Sequence, residues 1–169
     1  LSPMNPQLYE ALATMYFRQQ TPDKVMKAVA FWTVVTTLDP ENSRAFHNIG
    51  TALVSMRQKE KAVGYYNKAL EVDPSYRSAY VNLARIYNRM DNCPMAVLTL
   101  EEGRKHFPMD IALRSELAQQ YGECGFKHLY ADEVTSMMED FPDNAELYYT
   151  LAIIFRAGMQ VSNMAQAIR

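Results

Sequence analysis

Three histidines, two cysteines and several adjacent carboxylates are the residues of this chain whose types suit metal, redox or acid–base chemistry. Their spacing supports none of it. His47, His106 and His128 are far apart in sequence, so a shared metal site is not expected. His106 follows Lys105 at the expected end of a helix, where a cation favours the helix dipole, and His128 begins another helix. Cys93 and Cys124 fall in expected inter-helix turns and read as two reduced thiols. An oxidised pair would imply an extracytoplasmic setting, but spacing alone does not place the sulfurs. Glu101-Glu102 and Asp132-Glu133 are expected on solvent-facing turns, as a solubilising face rather than an acid/base pair. There is no Gly-rich phosphate loop and no HExxH, CxxC or GxSxG pattern. The nearest glycines, Gly122 and Gly125, flank a Glu-Cys turn. The chain is therefore expected to be no enzyme, with no catalytic, cofactor-binding or metal-binding residue.

Side chains suited to recognition are better placed. Asn48 and Asn82 lie 34 residues apart. An Asn amide donates and accepts at once, so a pair of them is able to hold the main chain of an extended peptide without reading its side chains. Arg44, Arg85 and Arg89 lie near them in sequence and suit bidentate pairing with carboxylates.

The elements that must position these residues follow from a ruler in the sequence. Pro6, Pro40, Pro74, Pro108 and Pro142 are each 34 residues apart. A Pro just past a helix C-terminus stops the helix, because it lacks the N–H that would continue the ladder. Units counted from this ruler are 9–42, 43–76, 77–110, 111–144 and a partial 145–169. Their seventh positions are Met15, Ile49, Leu83, Leu117 and Leu151, and their eighth are Tyr16, Gly50, Ala84, Ala118 and Ala152. With the fourth (Leu12, Phe46, Tyr80, Arg114, Tyr148) and eleventh (Gln19, Leu53, Tyr87, Tyr121, Phe155) these make one helical stripe. A second stripe carries Ala28, Ala62, Ala96, Tyr130 and Met164, then Trp32, Tyr66, Leu100, Val134 and Ile168, then Val35, Ala69, Gly103 and Met137. Turn signals such as Thr21-Pro22-Asp23 and Asp91-Asn92-Cys93-Pro94 separate the stripes. Each unit is expected to be a hairpin of two amphipathic helices of roughly 13 residues, packed large against small. Met15, Met137, Tyr66 and Tyr87 are expected in the core, while Met4, Met109, Met159 and Met164 suit an adaptable surface.

Composition agrees with a globular, non-membrane chain. Of its 169 residues 49% are hydrophobic, and 17 Lys+Arg stand against 19 Asp+Glu. A net charge of −2 argues against a nucleic-acid binder, and no apolar run is long enough for a membrane helix. The chain begins at Leu1 rather than Met and is expected to be a processed or excised segment.

This pattern resembles the tetratricopeptide repeat (TPR) family, whose 34-residue unit carries Leu, Gly/Ala, Tyr, Ala, aromatic and Pro at these offsets. Repeats two and three match best, through Phe46, Ile49, Gly50, Ala62, Tyr66, Ala69 and Pro74. Repeat four departs at Arg114, Tyr130 and Met137, and repeat one at Tyr16 and Gln19. The resemblance implies an all-α stack of helical hairpins, a right-handed superhelical solenoid forming a single domain over 1–169. It also implies that the second, fifth, sixth, ninth, twelfth and thirteenth positions look into a concave groove. These are Glu10, Ala13, Thr14, Phe17, Gln20 and Thr21 in the first unit. The candidate peptide-contacting residues are Arg44, His47, Asn48, Thr51, Asn82, Arg85, Asn88, Arg89 and Gln119. Ala112 and Glu116 stand where a chaperone-tail carboxylate clamp would need cations, so that specificity is not expected.

The expected function is a non-catalytic scaffold or adaptor holding a protein or peptide partner in the groove, in the cytoplasm. Two rivals are a self-assembling module, whose open repeat ends stack copies into an oligomer, and a substrate-targeting fragment of a larger enzyme. Apolar residues of the fifth unit, and Tyr9, Leu12 and Tyr16 at the other end, motivate the first rival.

Overall fold

The computed structural model describes residues 5–149, 151–153 and 156. Eight helices follow one another: α1 (Pro6–Phe17), α2 (Pro22–Leu38), α3 (Ser43–Ser55), α4 (Lys59–Val72), α5 (Arg77–Arg89), α6 (Cys93–His106), α7 (Ile111–Glu123) and α8 (Lys127–Asp140). Residues 145–149 and 151–153 are again helical, and no strand occurs among the described residues. The chain gathers into two compact units, Leu1–Ile86 and Tyr87–Arg169.

Helix ends fall where the sequence puts stop and start signals. The prolines at 40, 74, 108 and 142 each follow a residue whose N–H closes the preceding helix onto the carbonyl of Val35, Ala69, Gly103 or Met137. Asn42, Asp110 and Asn144 cap the helices that come next, accepting from Ala45, Leu113 and Leu147 N–H. Within each hairpin the turn passes through one left-handed residue, Arg57, Asp91 or Gly125, with φ of 60°, 56° and 79°. The residue after it bonds back five positions, from Gln58 to Leu53, Asn92 to Tyr87 and Phe126 to Tyr121, each at 2.9 Å, which closes a Schellman turn.

The first repeat breaks the phase set by the prolines. Pro6 does not follow a helix; it opens α1 behind the N-cap Asn5. The left-handed residue of its turn is Gln20, which precedes Arg57 by 37 residues rather than 34. The three additional residues lengthen the N-terminus of α2, a 17-residue helix against 14 for α4. Shifted by three, α1 matches the other repeats well, with Tyr9, Leu12, Ala13 and Tyr16 in the fourth, seventh, eighth and eleventh places. Ala13 is fully buried, whereas Met15, expected in the core, is 50% exposed. Tyr9 and Tyr16 both pack on Phe31 within the hairpin, with ring centroids 6.2 and 5.5 Å away.

In the first unit the small-against-large packing is tight. A Cβ on Gly50 would stand 3.0 Å from the ring of Tyr66, which is buried and shares a 3.0 Å hydrogen bond with Thr51. Trp32 and Val35 fill the corresponding places in α2.

In the second unit the fourth-position slot of α7 holds Arg114 in place of an aromatic residue, and it is only 3% exposed. Its guanidinium donates to Glu133 Oε1 at 2.6 Å, Asp140 Oδ2 at 2.5 Å and Ser136 Oγ at 2.9 Å. Arg104 engages the other oxygen of Glu133. Glu133 is therefore buried between two arginines and does not lie on a solvent-facing turn, because an arginine placed in the core requires a carboxylate beside it. Glu101 likewise accepts from Tyr121 at 2.7 Å. Met137, Leu147 and Leu151 form an apolar cluster with Ile111, Val134 and Phe141.

Cys93, the first residue of α6, and Cys124, which caps α7, form a disulfide with Cα atoms 5.7 Å apart. This corrects the reading of two reduced thiols. Both residues occupy the hairpin turns of successive repeats, and stacking those repeats brings the turns side by side. The expected second helix of the fifth unit (161–169), with Met4, Thr150, Phe155, Met159, Met164 and Ile168, lies outside the described residues.

Candidate functional site

The first helix of each hairpin carries the residues expected to meet a partner, and contacts run from one such helix to the next. In the first unit, Glu10 of α1 clamps Arg44 of α3 bidentately, at 2.7 Å to Nε and 3.0 Å to Nη2. Arg44 is thus committed to a carboxylate of its own chain. Next along the surface, His47 of α3 accepts from Asn82 of α5, with Nε2 and Nδ2 2.9 Å apart. The His47 ring lies between Tyr66 and Tyr76, at 5.3 and 5.0 Å. Burial holds its pKa below the ordinary 6.5, and the Asn48 side chain works more weakly in the other direction. The Thr51 hydroxyl bonds His47 O and Tyr66 Oη, so it serves packing.

Asn48, whose side chain also acts on His47, faces an open cleft as well. It lines a cleft of about 570 Å³ between α1 and α3, with Gln7, Glu10, Ala11, Thr14, Met15, Arg18 and Arg44. Because α1 is shifted by three residues, its surface here is Gln7, Glu10, Ala11, Thr14 and Arg18. Of the residues expected from the ruler, Ala13 is instead buried beneath, and Gln20 and Thr21 belong to the turn. The sequence signal for the shift is Asn5-Pro6, a cap followed by a first-turn proline. Met15 offers an adaptable apolar side chain to the cleft, and Arg18 forms no ion pair among the described residues.

Arg85 lies exposed on α5 in the first unit, and Arg89 is exposed in the second. In the second unit Asn88 and Gln119 converge on one carboxylate, donating to Glu123 Oε2 at 2.8 Å and Oε1 at 2.7 Å. Gln119 also lines a cleft of about 510 Å³ with Ile111, Ser115, Glu116, Leu147 and Ile153. The nine candidates are therefore divided between the two units: six in the first, of which Asn48 lines an open cleft, and three in the second, of which Gln119 does. Among the described residues no group of three His, Cys, Asp or Glu is placed to hold a metal, and no helix is long and apolar enough to cross a membrane.

Residues 43–76, which are α3, α4 and the turn beyond, match the family model for the tetratricopeptide repeat. Residues 43–76 are a tetratricopeptide repeat. Solved structures share the fold. MamA superposes with a TM-score of 0.70 at 19% identity, over 85% of this chain and 77% of that one. YrrB, a TPR protein with an unusual peptide-binding site, gives 0.65 at 15% identity over 92% and 79% of the two chains. A tetratricopeptide repeat protein from Parabacteroides merdae gives 0.71 at 20% identity over 98% of this chain and 63% of its own. At such identities the likeness speaks for the fold, that of the all-α TPR solenoid proteins. No curated protein matches the chain by sequence.

Proposed function

We propose that this TPR chain is a non-catalytic scaffold that holds an extended segment of a partner protein against the first helices of its hairpins, with Asn48 as the main-chain contact. The observation that carries the reading is the cleft between α1 and α3. There the Asn48 amide stands beside the exposed Met15 and Arg18, while the neighbouring Arg44 and Asn82 are already engaged by Glu10 and His47. An amide that both donates and accepts suits a peptide backbone, and Met15 suits side chains of varied shape. The peptide-binding site named for YrrB, a protein of the same fold, supports the reading by analogy.

Affinity capture from the host lysate tests it. Asn48→Ala is expected to lose the captured partner with helicity unchanged, whereas Asn82→Ala, which removes an internal hydrogen bond, is expected to retain most of it. Unaltered capture by Asn48→Ala overturns the assignment. Sedimentation over a range of concentrations separates this function from self-assembly, which follows mass action. The Cys93–Cys124 bond supports an oxidising compartment as the working location, in place of the cytoplasmic expectation.

A further inference from the structure

Several carboxylates of this chain are answered by cations, and others, such as Glu101 and Asp73, receive neutral donors. Glu10 has Arg44, Glu102 has Lys105, and Glu133 has Arg104 and Arg114. Glu123 is of the second kind, with an amide on each of its oxygens. The amides are those of Gln119 and Asn88, both neutral, and Glu123 enters no ion pair among the described residues. It is also the last residue of α7, where the unpaired carbonyls of the helix end already carry roughly half a negative charge. A carboxylate in that place is opposed by the dipole, yet two hydrogen bonds hold it in one rotamer at the surface. A carboxylate has about four acceptor sites, so two donors leave capacity for another.

The surroundings complete a recognition surface. Gln119 links Glu123 to the cleft of about 510 Å³, where Ile111, Leu147 and Ile153 supply an apolar lining. Leu147 is 1% exposed and gives a fixed floor, while Ile153 at 54% stands open at the side. The disulfide at Cys124 anchors the residue next to Glu123.

We propose that Glu123 reads a cation on the partner: the segment bound by the second unit carries a Lys or Arg for Glu123 and an aliphatic side chain for the adjoining cleft. This rests on the scaffold reading above and names the chemistry of the partner. The two amides pre-orient the acceptor, and the helix end adds negative potential, so a basic segment gains what a neutral or acidic one does not.

The test selects a random twelve-residue peptide library, displayed on phage, against the intact, oxidised protein and against Glu123→Gln. Selection on the wild type is expected to enrich Lys or Arg close to Leu, Ile, Val or Met, and selection on Glu123→Gln to lose the basic preference. The enriched peptide is then titrated as synthesised and with its basic residue changed to Leu. Either change alone, in the protein or the peptide, is expected to weaken binding about tenfold, and both together by little more than one, because they remove the same contact. A consensus without a basic residue, or two changes that multiply, overturns the cation assignment while leaving the scaffold reading intact. Failure to enrich any consensus overturns both. Circular dichroism of Glu123→Gln, an exposed change at a helix end, is expected to be unaltered.

Discussion

Protonation of His47 would alter the surface it shares with Asn82. As a neutral ring it accepts from the Asn82 amide; as an imidazolium it has only donors, and Asn82 would have to turn its oxygen inward. Burial lowers the His47 pKa below 6.5, so the unfolded chain takes up the proton first. The associated stability is therefore fully present above pH 6.5 and declines as pH falls from there toward the lower native pKa. Thermal unfolding between about pH 7.5 and 5 is expected to show a larger loss for the wild type than for His47→Gln, which does not titrate. Parallel curves for the two proteins would remove His47 as the cause. Other side chains show how far residue types alone reach. Glu133 looks like surface in the sequence because acidic residues normally are. Its burial is signalled 19 residues away, by an arginine standing in an aromatic slot at Arg114. The engagement of Arg44 by Glu10 is hidden for a related reason, since it joins two repeats and neither helix contains the pair.

Helices and turns are more legible, and where the sequence misleads the cause is a specific proline. The 34-residue spacing locates the end of α2, α4, α6 and α8 because each proline there performs the same task. Pro6 falls on the same spacing while opening a helix, so the ruler sets the first repeat three residues late and puts Met15 in the core. The small eighth position, by contrast, has the role its pattern implies. Gly50 faces the buried Tyr66 ring, and its substitution by Ala is expected to destabilise by about 1–3 kcal/mol through overpacking, despite the better helix propensity of Ala. Gly64, inside α4, has open space where a methyl group would stand, with no atom within 4 Å, and Gly64→Ala is expected to stabilise by about 0.5–1 kcal/mol. Urea unfolding of the two variants gives opposite shifts if close approach, rather than helix propensity, governs Gly50.

For the molecule as a whole, repeat stability is a sum of local terms, so a cross-link in one unit acts mainly there. The Cys93–Cys124 bond closes a stretch with a sequence separation of 31, for which loop entropy corresponds to about 3–4 kcal/mol. Reduction by a small dithiol, which takes up the two sulfurs' oxidation itself, is expected to lower hydrogen-exchange protection in α6 to α8 by on the order of 100-fold. Protection of α1 to α4 is expected to change far less, and an equal loss in both units would show that the bond supports the array globally. The same bond has a mechanical meaning. A chain drawn out by its ends lengthens residue by residue, but the stretch with a separation of 31 between these sulfurs is bypassed, and the fully extended molecule is shorter by about 100 Å than its reduced form. Under tension the force passes directly from one hairpin turn to the next, and the helices between them carry none of it.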